Sequence, residues 1–218
     1  MEIQECRRIW YGRVMLDKYV STYIGRPLAI FEKDYDPQLP SETEPDELEL
    51  WSPFHSSRAS TRSLEETADS AIAPPVPART LSFFNASSKL SGILSWIVQV
   101  IYSIRPGFSR HAESMRLEGL LNKWYLDLPQ YLRYEPGQKT VPLPHILTLH
   151  MHYWCTSLLL YRPFIRRVHL ASKQKSGGSD DGNSRAVSEK NYELCVRAAN
   201  HISSIAASYR EHYDLGRS

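Results

Sequence analysis

Cysteine is scarce in this chain: three occur among 218 residues, at positions 6, 155 and 195. They lie too far apart to read as a disulfide framework, and none has the paired spacing of a zinc site. Each falls in an apolar, helix-patterned stretch where a thiol behaves as a small hydrophobe, so a reducing compartment is expected. Long hydrophobic runs are also lacking. The apolar stretches fall well short of the ~20 residues that a membrane-spanning helix requires. The opening MEIQECRRIW has no basic region followed by an apolar core, so neither a secretory signal nor a membrane partner is expected. Charge of one sign is not in excess, because a formal net charge of +2 is too small to argue for nucleic acid or an anionic surface. A Gly-rich phosphate loop, a Gly-x-Ser-x-Gly elbow and a His-Glu-x-x-His pair are all missing, which leaves enzymatic activity without a motif. What is present is 42% hydrophobic and 23% charged residues, an ordinary globular composition in a chain long enough for a sizeable core. Fourteen prolines against ten glycines point to long, punctuated connections rather than tight hairpins.

The most distinctive stretch runs from Arg7 to Pro40. Its first part predicts an amphipathic helix, with Cys6, Ile9, Trp10, Leu16, Val20 and Ile24 recurring at spacings of three and four on one face. Arg13 and Asp17 fall in the same stripe, one turn apart. An aspartate there is costly unless paired, so Asp17 is expected to be held by Arg13 or, after the chain turns, by Arg26. Gly25 supplies the positive φ that ends many helices, and Arg26-Pro27 dictates an extended exit. Asp34 and Asp36 follow in a loop punctuated by Pro37 and Pro40, where turn formation and capping suit them better than metal binding.

These residues carry a resemblance. Arg7, Arg8, Trp10, Tyr11, Asp17, Ser21, Gly25, Arg26, Pro27, Ile30, Asp34, Leu39 and Pro40 together resemble the fungal-specific transcription factor domain. This is the middle homology region of fungal zinc-cluster regulators, and the wording is similar to the xylanolytic and nitrogen-assimilation types. Tyr11 stands where a second tryptophan is common. Leu121-x-x-Trp124-x-x-x-Leu128-Pro129 and the Leu159–Phe164 segment are similar to the same family.

The resemblance implies a nuclear location and a role in transcription regulation by RNA polymerase II. It also implies that zinc and DNA contact belong to an N-terminal cluster not contained in this sequence, so no cofactor is expected in the chain itself. A C-terminal portion of a longer regulator is therefore expected, with a homodimer, transcriptional co-regulators or a small-molecule effector as partners. Arg7, Arg8, Trp10, Asp17, Gly25, Arg26 and Pro27 are the candidate functional positions, with the role of holding the domain together. The other reading is a stand-alone helical module for protein interaction or small-molecule sensing, without DNA binding.

Beyond this stretch, the acidic run SETEPDELEL predicts a solvated loop or the start of a short helix. Residues 52–79, rich in Ser, Thr, Ala and Pro, read as a disordered linker. A helix over Leu81–Ile104 is predicted from Leu90, Ile93, Leu94, Ile97, Val98, Ile101 and Ile104, stopped by Pro106-Gly107. A second runs from about Ser109 to Asp127. The segment from Pro144 to Tyr161 is apolar on nearly every side, the mark of a buried helix. Its histidines, His145, His150 and His152, are not three or four apart and cannot share one metal. Residues 171–187 read as a flexible loop. A last helix begins at Ser188, with Tyr192, Cys195, Ala199, Ile202, Ala206 and Tyr209 as a short seam directed at the core. The division expected is 1–51, a linker at 52–79 and a helical remainder at 80–218: an irregular all-α bundle around one buried central helix, with two flexible linkers.

Overall fold

The computed structural model describes residues 2–35, 38–51, 75–103, 109–137, 142–165 and 180–213. Among them are five α-helices: α1 Glu2–Ile24, α2 Thr80–Ile101, α3 Arg110–Leu126, α4 Pro144–Tyr161 and α5 Asp180–His212. The all-α expectation holds. The strand content among the described residues is one two-residue antiparallel ladder, in which Leu50 and Trp51 (β1) pair with Pro77 and Val76 (β2). No described helix is long and apolar enough to cross a membrane.

Local signals in the sequence set several of the helix ends. Ser109 caps α3 by accepting from the Ala112 N–H (3.4 Å), and Pro144 opens α4, where its missing N–H leaves no donor unsatisfied. Asp36, Pro37, Pro106, Gly107 and residues 52–74 lie outside the described residues. The end of the expected linker is structured, since Val76 and Pro77 form β2 and the Ala78 N–H bonds to the Glu49 carbonyl at 2.8 Å. Of the expected loop at 171–187, the part from Asp180 onward belongs to α5; residues 171–179 lie outside the described residues.

The apolar core is assembled by α2, α3, α4 and α5. Leu90, Ile97, Leu117, Leu121, Leu147, Leu149, Leu160 and Ile205 are nearly or fully excluded from solvent. α4 touches α2, α3 and α5, its contact with α5 being the most extensive between any two elements. It is not apolar-buried all round, because Cys155 is exposed. On α5 the inward residues are Ala198 and Ile205, so the expected seam is rotated. Tyr192, Ala199 and Ala206 face outward, and Cys195, Ile202 and Tyr209 are half-buried. Trp124 anchors α3 by stacking on Tyr153 (5.5 Å) and donating its indole N–H to the Ala86 carbonyl (3.0 Å).

Helix α2 is buried on two opposite sides. Leu90, Leu94, Ile97 and Ile101 enter the core, whereas Ser88, Ser91 and Ser95, also buried, lie on the far side by helical spacing. That second side meets α1 and its loop: the Ser88 hydroxyl reaches the Met15 sulfur (3.5 Å), and Asn85 donates to the Pro40 carbonyl (2.9 Å). No α1 residue belongs to the main apolar cluster, so α1 is attached chiefly through this small, polar surface.

The three α4 histidines occupy separate environments. His150 bonds through Nε2 to the Leu132 carbonyl (2.9 Å), His152 stacks on Tyr19 (4.5 Å), and His145 meets the edge of Phe83 (5.1 Å). Burial pushes all three below the ordinary histidine pKa. Above about pH 6.5 both folded and unfolded chains hold neutral imidazoles, and these groups leave stability unchanged. Below it the unfolded chain takes up protons that the folded chain resists, so stability falls as pH drops. The melting temperature should therefore decline between about pH 7 and about pH 5, and His152→Phe should reduce that decline. Equal slopes for variant and parent in a pH series of thermal melts would contradict this assignment.

Candidate functional site

The candidate residues converge on one structure, the seam between α1 and the segment that returns along it before entering α2. At its head the helix ends as expected. Gly25 has φ +75°, and the Arg26 N–H bonds to the Ser21 carbonyl (3.0 Å). Pro27 leads the chain away, and Leu28 is buried beneath it. A Cβ at Gly25 would meet nothing within 4 Å, so the position needs glycine for its backbone conformation alone. Gly25→Ala should cost about 1 kcal/mol, read as a small drop in the urea midpoint with unchanged slope.

Asp17, 8% exposed, is the hub. Its carboxylate accepts from the Ala29 N–H (3.0 Å), the Ile30 N–H (3.1 Å) and the Ser21 hydroxyl (3.3 Å). Arg26 donates through Nε to the Ser21 hydroxyl (3.1 Å), and its terminal nitrogen lies 3.7 Å from Asp17. Of the two expected partners, Arg26 is the one used. It is the lesser contributor, because its side chain is 54% exposed. Arg26→Ala should cost only about 0.5 kcal/mol, and a chemical-denaturation series resolves that from a large loss.

Next to the hub, Lys18 is fully excluded from solvent. Its ammonium donates to the Ile30 carbonyl and lies 3.3 Å from the Glu32 carboxylate. A buried ammonium needs such partners, and the loop supplies both.

Toward the start of α1, Arg7 donates to Gln38, and Arg8 donates to Asp46 (2.8 Å) and to Glu44. Trp10, 38% exposed, meets the edge of the Tyr35 ring at 5.8 Å, and Tyr11 meets the same ring at 5.9 Å. Asp34 sits in a single 3-10 turn, Glu32–Asp34, in keeping with a turn-forming role.

The helix face predicted to be buried is not the buried face. Ile9 is 68% exposed, Leu16 63% and Ile24 63%, and Cys6 is exposed; the residues turned inward are Tyr11, Val14, Asp17, Lys18 and Ser21. Charged groups are buried in place of apolar ones because the returning segment offers each of them a partner. Arg13 lies on the outer side and is exposed.

The acidic run is mostly exposed, and of its two expected forms it takes the short helix. It forms a 3-10 turn, Pro45–Leu48, and buries Glu47 to 5% exposure. The Glu47 carboxylate accepts from the Leu81 N–H (3.0 Å), the Ser82 N–H (3.1 Å) and the Ser82 hydroxyl (2.5 Å). It thereby satisfies orphan donors at the start of α2 and places negative charge at the positive end of that helix. Arg79, held at φ 53°, lies 3.8 Å from Glu47 and over the Tyr131 ring at 4.7 Å. Glu42 accepts from the Asn85 amide (2.9 Å). Glu47 was not singled out by the sequence, because a cap supplied from some thirty residues upstream leaves no local pattern.

The carboxylates of this seam face backbone amides, guanidinium groups, hydroxyls, the Asn85 amide and the Lys18 ammonium. Among the described residues no three His, Cys, Asp or Glu side chains are grouped so as to hold a metal.

The family model described as "Fungal specific transcription factor domain" matches residues 1–126, which contain the whole seam. The chain is 27% identical over 98% of its length to the nitrogen assimilation transcription factor nit-4 of Neurospora crassa, of which it covers 18%. It is 26% identical over 97% of its length to the nitrogen assimilation transcription factor nirA of Emericella nidulans, covering 22%. To the activator of stress genes protein 1 of Candida albicans it is 25% identical over 94% of its length, covering 21%. The chain thus spans about a fifth of the length of these curated relatives. No solved structure matches it.

Proposed function

The chain belongs to the family of fungal specific transcription factor domains, and from that premise we propose that it is the regulatory middle region of a nuclear zinc-cluster regulator. The single observation that carries this reading is the family match across α1, its returning acidic segment, α2 and α3. In this reading the chain performs no catalysis. Zinc and DNA contact belong to sequence outside it, and this region restrains or transmits activation through co-regulators or a second copy. Relatives whose names identify them as transcription factors and activators support a role in transcription.

The decisive experiment is the intact mass and N-terminal sequence of the endogenous protein, by mass spectrometry after immunocapture. The expected result is a product several times longer than this chain, carrying a cysteine-rich zinc cluster upstream. A product with the mass of this chain alone would overturn the reading. Tethering the chain to an unrelated DNA-binding domain upstream of a reporter then tests the regulatory role directly, and an inert fusion that is folded and nuclear would count against it.

A further inference from the structure

Helix α1 turns its large apolar side chains away from the bundle. Ile3 is 70% exposed, Ile9 68%, Trp10 38%, Leu16 63%, Tyr23 93% and Ile24 63%, whereas its inner side is committed to the returning segment and to the small polar side of α2. Those exposures amount to about four whole large side chains, on the order of 800 Å² at ~200 Å² each. The largest apolar patch of an ordinary monomer is ~300–600 Å², and one side of a standard protein interface is ~800 Å². The outer face of α1 therefore has the extent of an interface.

The face also has an internal order. Cys6, Ile9, Arg13, Leu16, Val20 and Tyr23 follow one another at spacings of three, four, three, four and three, the pattern of a helix-pairing seam. All are exposed except Val20, which is half-buried. This series of spacings reads the same from either end. An antiparallel second copy, related by a two-fold axis through the middle of the seam, therefore meets it position for position: Cys6 faces Tyr23, Ile9 faces Val20 and Arg13 faces Leu16. A two-fold contact requires just such a self-complementary surface. A parallel pair would set Arg13 against Arg13. In the antiparallel pair the two arginines lean apart, because helical side chains tilt toward their own N-termini, and their aliphatic stems lie along apolar surface.

We propose that α1 is a self-association surface, on which two copies of the chain pair antiparallel, seam to seam. The seam is shorter than a free-standing coiled coil needs. Here α1 is already held as a helix by the Asp17 and Lys18 contacts, so pairing carries no cost of helix formation. An interface of this area with a charge in its seam belongs at the weak end of the range, with a dissociation constant in the micromolar region. The pairing deepens the proposed action through a second copy and rests on that part of it. Its test uses the purified chain, so a failure here leaves the regulatory role to the reporter assay.

The test is sedimentation equilibrium of the full chain over a concentration series, with a matched pair of variants. The parent should pass from monomer to dimer, and Ile9→Glu should weaken the dimer at least about tenfold. Tyr192→Glu, an equally exposed apolar position on α5, should leave it unchanged. Both substituted side chains point to solvent, so the two variants should melt with the parent. Orientation is read from a Tyr23→Cys variant under mild oxidation, with the cross-link mapped by peptide mass spectrometry. The expected product joins Cys6 of one copy to position 23 of the other. A parent that is still monomeric at about 100 µM would overturn the proposal and leave the face to a different protein. A dimer unaffected by Ile9→Glu, or one cross-linked only from Cys6 to Cys6, would overturn it as well.

Discussion

Asp17→Ala should destabilise the chain by about 3 kcal/mol, the loss expected when one side of a buried, hydrogen-bonded charge arrangement is removed. In a chain of this size that is a fall of about 6–12 °C in melting temperature. The magnitude follows from what is left behind. The Ala29 and Ile30 N–H groups and the Ser21 hydroxyl lose their shared acceptor, and Ser21 is fully excluded from solvent. Arg26, by contrast, is half in solvent and loses little. Asp17→Asn should recover part of the loss, because its one amide oxygen can accept from one of the two backbone donors while its NH2 opposes the other. A melt of Asp17→Ala indistinguishable from the parent, or an Arg26→Ala loss as large as that of Asp17→Ala, would refute the hub role.

The second large effect is expected at Glu47. Removing this carboxylate exposes two backbone donors in the first turn of α2, leaves the Ser82 hydroxyl without its closest acceptor and withdraws charge from the helix terminus. Capping losses reach about 2 kcal/mol, and burial of the unpaired donors raises the expected cost of Glu47→Ala to about 2–3 kcal/mol. Glu49→Ala is the matched control, since Glu49 is exposed and its loss should stay within about 0.5 kcal/mol. Salt provides a further check. The Arg8 pairs with Glu44 and Asp46 are partly exposed and should weaken as ionic strength rises, whereas the Glu47 contribution should persist. If Glu47→Ala and Glu49→Ala unfold alike, the cap has no energetic role.

These effects explain how far the sequence could be read. The helices of the apolar core were legible because their partners are other helices. Leu90, Leu94, Ile97 and Ile101 recur with helical period, Ser109 and Pro144 mark starts, and Trp124 anchors α3. The end of α1 was legible because Gly25, Arg26 and Pro27 encode it locally. The buried face of α1 was not. Hydropathy ranks Ile9, Leu16 and Ile24 above Asp17, Lys18 and Ser21, but the cost of burying a polar group depends on whether it finds a partner. Those partners, the Ala29 and Ile30 backbone and Glu32, are fixed only by the path of the loop. The same reasoning applies to Glu47, whose neighbours Glu44 and Asp46 have the same composition but pair with Arg8 instead. On α5, a stripe of alanines and tyrosines has too little contrast between its sides to fix the rotation, and Tyr192 and Ala199 were assigned inward by a fraction of a turn.

The two-residue ladder of Leu50–Trp51 with Val76–Pro77 has a different kind of consequence. By joining the two ends of the intervening stretch at one place, it uncouples that stretch's length from the geometry of everything outside it. For a closed chain segment, doubling the number of residues costs only about 0.6 kcal/mol. Insertions and deletions can therefore accumulate between these two strands while Glu47 still reaches the start of α2. A reporter peptide placed there should leave the Asp17 and Glu47 fastenings intact.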